Sequence, residues 1–345
     1  MAIAYAIRRR RLRRNAVQRT FRCRFMSESM CEREFRERYR FSLINIQFIL
    51  NLIRPSLITM TRRSKAVSPL LQLLVALRYF ATGSFFRLIG DSVGLSEATV
   101  SRCVHRVATA LCGIGRRYIS FPTDRQLLKT KQEFYNLSRF PNVVGCVDCT
   151  HIRIQGPTAN EKDFVNRKGF HSLNVQMTCD AKFHITSCVA KWPGSVHDSR
   201  IFRDSQLCSS FENGTYDGLL LGDSGYPCRH FLMTPYGNPV SNEQRQFNNS
   251  LCRARTTVEQ TFGILKRRFA CLSLCLRVSP TKAALITVAC AVLHNLALEL
   301  NENLDCVNDQ NTCNGNADVA NHVHYVGPDG DGVRVRNHIC NNYFH

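Results

Sequence analysis

The sequence predicts an α/β fold: a mixed sheet packed by flanking helices, preceded by a block of helices. Three observations carry that prediction. Up to about Leu137 the apolar residues recur at helical spacing. After Pro141 they gather in short runs of the kind that buried strands show, and beyond Glu243 the helical spacing returns. Strands first and helices after them, with a helix inserted before the last strand, describe one central sheet covered by helices.

Taken in order, residues 1–40 read as a basic, disordered arm. The stretch from Ile7 to Arg24 is crowded with arginine, and no acid precedes Glu28. That composition suits a nuclear signal or a phosphate-binding arm, and transit peptides share it. A mixed apolar run from Tyr39 to Leu57 reads as one helix or two, stopped near Pro55. Ser68-Pro69 supplies an N-cap and a first helical position for a helix over Leu70–Ala81, which Gly83 ends. Ser84 is expected to cap a second short helix through Ile89. Gly94 makes a turn, and Ser96 caps a third helix to about Leu111.

On that third helix Val100, Val104, Val107 and Leu111 form one apolar stripe, leaving Thr99, Arg102, His105 and Arg106 on other faces. A short helix, a glycine turn and a second, amphipathic helix match a helix-turn-helix, so residues 41–120 are read as a helical DNA-binding region. A plain trihelical bundle shows the same pattern; the charge balance favours DNA.

The second region, 121–300, opens with a helix near Asp124–Leu137. Strands are expected at Asn142–Asp148, Thr150–Gln155, Ser172–Cys179, His184–Lys191 and Gly218–Gly222. A short helix should start near His197-Asp198, with Asp198 placed to cap it. Long helices follow over 243–272 and 281–300. Residues 301–345 read as an acidic, Asn-rich linker and a tail whose end, Val333–His345, is strand or helix.

A formal charge of +20 over 345 residues and a pI near 9.6 favour a polyanionic partner, most simply DNA. The 17 cysteines are scattered and odd in number, which points to reduced thiols rather than a disulfide scaffold. The apolar stretch Ala283–Leu293 stops at His294-Asn295, short of the ~20 residues that a membrane span needs. No membrane partner is expected.

Three acidic residues set the chemistry. Asp148 ends the run Val143-Val144-Gly145-Cys146-Val147, Asp223 follows Leu219-Leu220-Leu221-Gly222, and Glu259 lies on a helix with Val258, Phe262, Leu265 and Phe269. Carboxylates at two strand ends and on a helix can converge on a pair of divalent cations, which clamp the attacking and leaving oxygens of a phosphodiester. Hard cations of this kind, Mg²⁺ first and Mn²⁺ second, take oxygen ligands. Glu259 read alone is also a surface residue paired with Arg255. Arg253, Arg255, Lys266, Arg267 and Arg268 surround the glutamate helix with positive charge suited to a DNA backbone. Cys146 and Cys149 form a C-x-x-C, but their odd separation on a strand turns them to opposite faces. His294-Asn295 reads as a satisfied polar pair in the core.

These residues lie within motifs that resemble Harbinger-type DDE transposases. The first is Val143 to Ile152. The others are Asn166-Arg167-Lys168-Gly169 with His171-Ser172-Leu173-Asn174, Trp192-Pro193-Gly194-Ser195-Val196-His197-Asp198-Ser199, Gly222-Asp223-Ser224-Gly225-Tyr226-Pro227, and Val258 to Phe269. The resemblance spans roughly 68–300. It implies an RNase H-like nuclease fold and divalent metal. It also implies Asp148, Asp223 and Glu259 as the catalytic acids, with Asp198 as a fourth metal ligand or a supporting group. Thirty-five residues separate Asp223 from Glu259, a spacing similar to that of many such transposases.

The expected function is a metal-dependent DNA endonuclease working by a two-metal route. The alternative is a catalytically silent, transposase-derived DNA-binding protein. DNA contacts are expected from Thr99, Arg102, His105, Arg106, Lys266 and Arg267. The resemblance further implies a nuclear location, with the cytoplasm as a second compartment, and a Myb-like DNA-binding partner; a homo-oligomer is compatible with it.

Overall fold

The computed structural model describes residues 30–58, 66–302 and 330–344. Most of the expected basic arm and the Asn-rich linker lie outside the described residues. The end of the arm is a helix, however, α1 (Glu32–Tyr39). Its alternating charges make i,i+4 pairs such as Arg33–Glu37 at 2.8 Å, and Phe35 and Tyr39 pack on the core. Ser42 caps α2 (Leu43–Leu57); Pro55 falls within its last turns and does not stop it.

In α3 (Pro69–Thr82) the Ser68 hydroxyl accepts the Leu71 N–H, and Gly83 ends the helix at φ 63°. The next helix, α4 (Phe86–Val93), starts from Phe85 rather than from a Ser84 cap, and Gly94 closes it at φ 68°. Ser96 then caps α5 (Glu97–Gly113), accepting the Thr99 N–H. The stripe of Val100, Val104, Val107 and Leu111 is fully buried. It faces α2, α3 and α4, and also a helix of the following region described below. A short turn, α6 (Gly115–Tyr118), leads to α7 (Asp124–Ser138).

The two strands expected at Asn142–Asp148 and Thr150–Gln155 are one, β1 (Val143–Arg153). Cys149 and Thr150 continue its ladder with β2 (Ser172–Cys179), because their backbone partners Gln176 and Val175 remain in register. There follow β3 (Ile185–Pro193), α8 (Asp198–Arg203), α9 (Gln206–Glu212) and β4 (Leu219–Leu221). Neither α9 nor the two-residue β5 (Leu232–Met233) was expected from the sequence. The chain then forms α10 (Asn242–Arg268), α11 (Pro280–Glu299) and α12 (Gly330–Tyr343); the last shows that the tail end is a helix.

The sheet order is β3-β2-β1-β4-β5. The β1–β2 and β2–β3 pairs are antiparallel, and β1–β4 and β4–β5 are parallel. Strand periodicity sorts the side chains between two layers. Cys146, Leu219, Leu221 and Met233 join a core shared with α10, α11 and the N-terminal helices. Val144, Val147, Leu220 and Leu232 face a second cluster with Phe202, Phe211 and Phe231. The helix that covers the stripe of α5 from the sheet side is α11.

Among the described residues α11 alone is long and apolar enough to cross a membrane, but it is largely buried in this core. His294-Asn295 does not interrupt it. Asn295 accepts the Ile185 N–H at 2.9 Å and donates to the carbonyls of Tyr118 (2.7 Å) and Ile185 (2.8 Å). It thereby ties α6, β3 and α11 together. Asn295→Ala leaves three buried backbone groups unpaired, so a loss of about 3 kcal/mol is expected in urea denaturation. A loss under about 1 kcal/mol would show that another donor takes its place.

Candidate active site

The parallel register of β1 and β4 brings the first two acids together. Cys146 stands opposite Leu221, so Asp148, still within β1, and Asp223, just past the end of β4, are each two residues further on along neighbouring parallel strands. Each carboxylate is oriented by a backbone amide: the Cys149 N–H donates to Asp148 Oδ1 at 2.7 Å, and the Gly225 N–H to Asp223 Oδ1 at 3.0 Å.

Asp198 joins them from α8. It was expected to cap that helix, but the cap is His197, whose Nδ1 accepts the Ser199 N–H. The Asp198 carboxylate is instead held by Asn174, whose amide donates to Asp198 Oδ1 at 2.7 Å and to the Val196 carbonyl at 2.9 Å. Asn174 lies on fully buried β2, and its role could be read from the sequence only as a polar residue in a strand.

The electrostatics record this crowding. Burial first, and then the charge of Asp223, push the Asp148 carboxyl up to about 7; Asp198 adds to the rise, while Arg255 and the Cys149 amide oppose it. Burial also raises Asp223, with a smaller push from Asp198 against the pull of Arg255 and the Gly225 amide. Like charges held out of water make carboxylates reluctant to ionise. A site of this kind is short of positive charge.

Glu259 is placed differently. Its side chain is 54% exposed, and it reaches the aspartates through Arg255, whose Nη2 lies 2.7 Å from Glu259 Oε1 and 3.4 Å from Asp148 Oδ2. Among the described residues no three His, Cys, Asp or Glu side chains are placed to hold one metal ion. The donor chemistry itself, carboxylate oxygens only, fits a hard divalent cation.

The basic residues around α10 divide. Arg253 and Arg267 are exposed. Lys266, expected on DNA, turns inward: its Nζ donates to Thr150 Oγ1 at 2.6 Å, and burial lowers its pKa. Arg268 is buried and donates to the Glu302 carbonyl. On α5, Arg102 and His105 are exposed and Thr99 and Arg106 partly so; Arg102 Nη2 donates to Thr99 Oγ1 at 3.1 Å. The C-x-x-C is split between faces as expected. Cys146 donates to the Ala254 carbonyl, whereas Cys149 meets the Tyr226 hydroxyl at 3.3 Å.

Residues 147–295 match the family described as DDE superfamily endonuclease, a span that contains all four acids. That superfamily implies an RNase H-like fold, in keeping with the mixed five-stranded sheet, and generally uses divalent metals. The chain is 38% identical over 281 residues to HARBI1 of Homo sapiens, which carries a nuclease name; 80% of each chain is covered. It is 25% identical over 293 residues to the Arabidopsis thaliana protein Antagonist of Like Heterochromatin Protein 1, covering 78% of this chain and 74% of that one. A Microchaete diplosiphon protein named as a transposase for insertion sequence element IS702 is 29% identical over 203 residues, 56% of this chain and 68% of its own. No solved structure matches the chain.

Proposed function

The chain belongs to the Harbinger family of DDE transposases and transposase-derived nucleases, and from that premise we propose that it is a metal-dependent DNA endonuclease. What supports the reading is that the charges of Asp223 and Asp198 reach the carboxyl of Asp148, which burial first and then those charges raise to about 7 against the pull of Arg255. Divalent cations, when bound in a pair, supply Lewis acidity to the phosphodiester and activate water. The protein's part is to hold them. Asp148 and Asp223 are aimed by the Cys149 and Gly225 amides, and Asp198 by Asn174. Glu259 completes the set when it is released from Arg255. Around this centre, exposed Arg167, Lys168, Arg253 and Arg267 suit the flanking phosphates.

Nicking of supercoiled DNA that requires Mg²⁺ or Mn²⁺ and stops in EDTA is the expected result. Absence of nicking in either metal, with DNA binding retained, would favour the silent DNA-binding alternative. In this reading the nucleus is the site of action, with the cytoplasm as a second compartment, and a Myb-like protein is the targeting partner.

DNA binding is assigned to the exposed side of α5. Arg102→Ala with Arg106→Ala is expected to weaken DNA binding and to flatten its dependence on salt. The log–log slope should fall by about one unit for each phosphate that an arginine no longer neutralises. Fluorescence-anisotropy titrations at several salt concentrations read both quantities. Unchanged affinity and slope would leave α5 as a core helix only.

A further inference from the structure

Arg255 lies between two of the acids that the nuclease reading assigns to metal. Its guanidinium bridges Glu259 and Asp148, at 2.7 Å and 3.4 Å, and its charge also acts on Asp223. The side chain is only 17% exposed. A buried arginine that serves the fold ordinarily places its several donors on carbonyls or permanent acids. Arg268, one such residue on the same helix, does so with the carbonyls of Glu302 and Arg40. Among the described residues, the hydrogen-bond partners of Arg255 are Asp148 and Glu259, two acids that the nuclease reading assigns to metal.

We propose that Arg255 is the resident counter-charge of the site: it neutralises Asp148 and Glu259 while no divalent cation is bound, and yields them when one arrives. This rests on the nuclease reading and deepens it. A bridging guanidinium offsets repulsion among the carboxylates and fixes the Asp148 side chain in the metal-free fold. It also ties up Glu259, one helical turn along α10, so Glu259 is not free to bind a cation until Arg255 leaves. Metal affinity is therefore set by an exchange of cations, and removal of the competitor strengthens binding.

The test is a titration of Mn²⁺ into the metal-stripped full chain, followed by the electron-spin-resonance signal of free Mn²⁺. Arg255→Gln is expected to bind Mn²⁺ about tenfold more tightly than wild type, the equivalent of one partly buried ion pair no longer to be broken. Arg255→Lys, which keeps the charge, is expected to stay near wild type. Unchanged or weaker affinity in folded Arg255→Gln overturns the exchange, since a purely structural arginine would give that result.

Should Arg255→Gln fail to fold, the wild type answers alone. The Arg255 Nε–H nuclear-magnetic-resonance signal should move on addition of Mg²⁺ and hold still in Na⁺ of equal ionic strength; a signal indifferent to Mg²⁺ overturns the proposal. Wild-type protein that takes up no Mn²⁺ overturns the nuclease reading as well, a result distinct from uptake without exchange.

Discussion

Asp223→Asn is expected to lower metal-dependent DNA cleavage by about a thousandfold or more while leaving DNA binding intact. The substitution keeps the shape of the side chain and its acceptance of the Gly225 N–H, so the turn after β4 should persist. What disappears is one negative charge beside Asp148, and a hard cation prefers an ionised carboxylate to a neutral amide. The proposed DNA contacts of Arg102 and Arg106 lie on α5, a separate element of the fold. The measurement is single-turnover nicking of supercoiled DNA in Mg²⁺, with anisotropy on the same preparations. Equal cleavage by wild type and Asp223→Asn would remove Asp223 from the site.

The second large effect is on stability, and its sign is unusual for an acidic residue. Asp148 has a folded-state carboxyl near 7, above the roughly 3.9 of an unfolded aspartate. Between those values the fold holds a proton that the unfolded chain has released, so stability falls as pH rises from about 4 to about 7. The contribution of the neutral form is complete at the acid end and gone above pH 7. In EDTA at pH 8, Asp148→Asn is therefore expected to be more stable than wild type by on the order of 2 kcal/mol. It should also be inactive. At pH 4 the two should melt together. Thermal unfolding at both pH values checks this; a mutant no more stable than wild type at pH 8 would mean that the Asp148 carboxyl is not raised in the fold.

Much of the site was legible because it rests on local rules. Ser68-Pro69, Gly83, Gly94 and Ser96 mark helix ends through their own side-chain or backbone chemistry, and each does so in the structure. Asp148 and Asp223 stand out because a charge that directly follows an apolar run is costly to bury without a partner. The failures have a common cause in partners distant along the chain. Asp198, which local rules alone would make a helix cap and the resemblance a metal ligand or supporting group, is held by Asn174, twenty-four residues earlier. Lys266 looked like a DNA contact and reaches Thr150 across the fold.

Other misses were of scale. β5 has two residues, too few to show a period, and the polar Cys149-Thr150 step hid the continuity of β1. α1 could have been found: its Glu and Arg residues recur at i,i+4, a helical signal that the basic composition around them concealed.

Anomalous diffraction from crystals of the full chain soaked in Mn²⁺ tests directly whether Asp148, Asp198 and Asp223 form a divalent-metal site. The predicted result is an anomalous peak between Asp148 and Asp223 at about 2.0–2.2 Å from their oxygens, with Arg255 turned away from Asp148. Mn²⁺ bound elsewhere, or no peak and Arg255 still bridging Asp148 and Glu259, would contradict it.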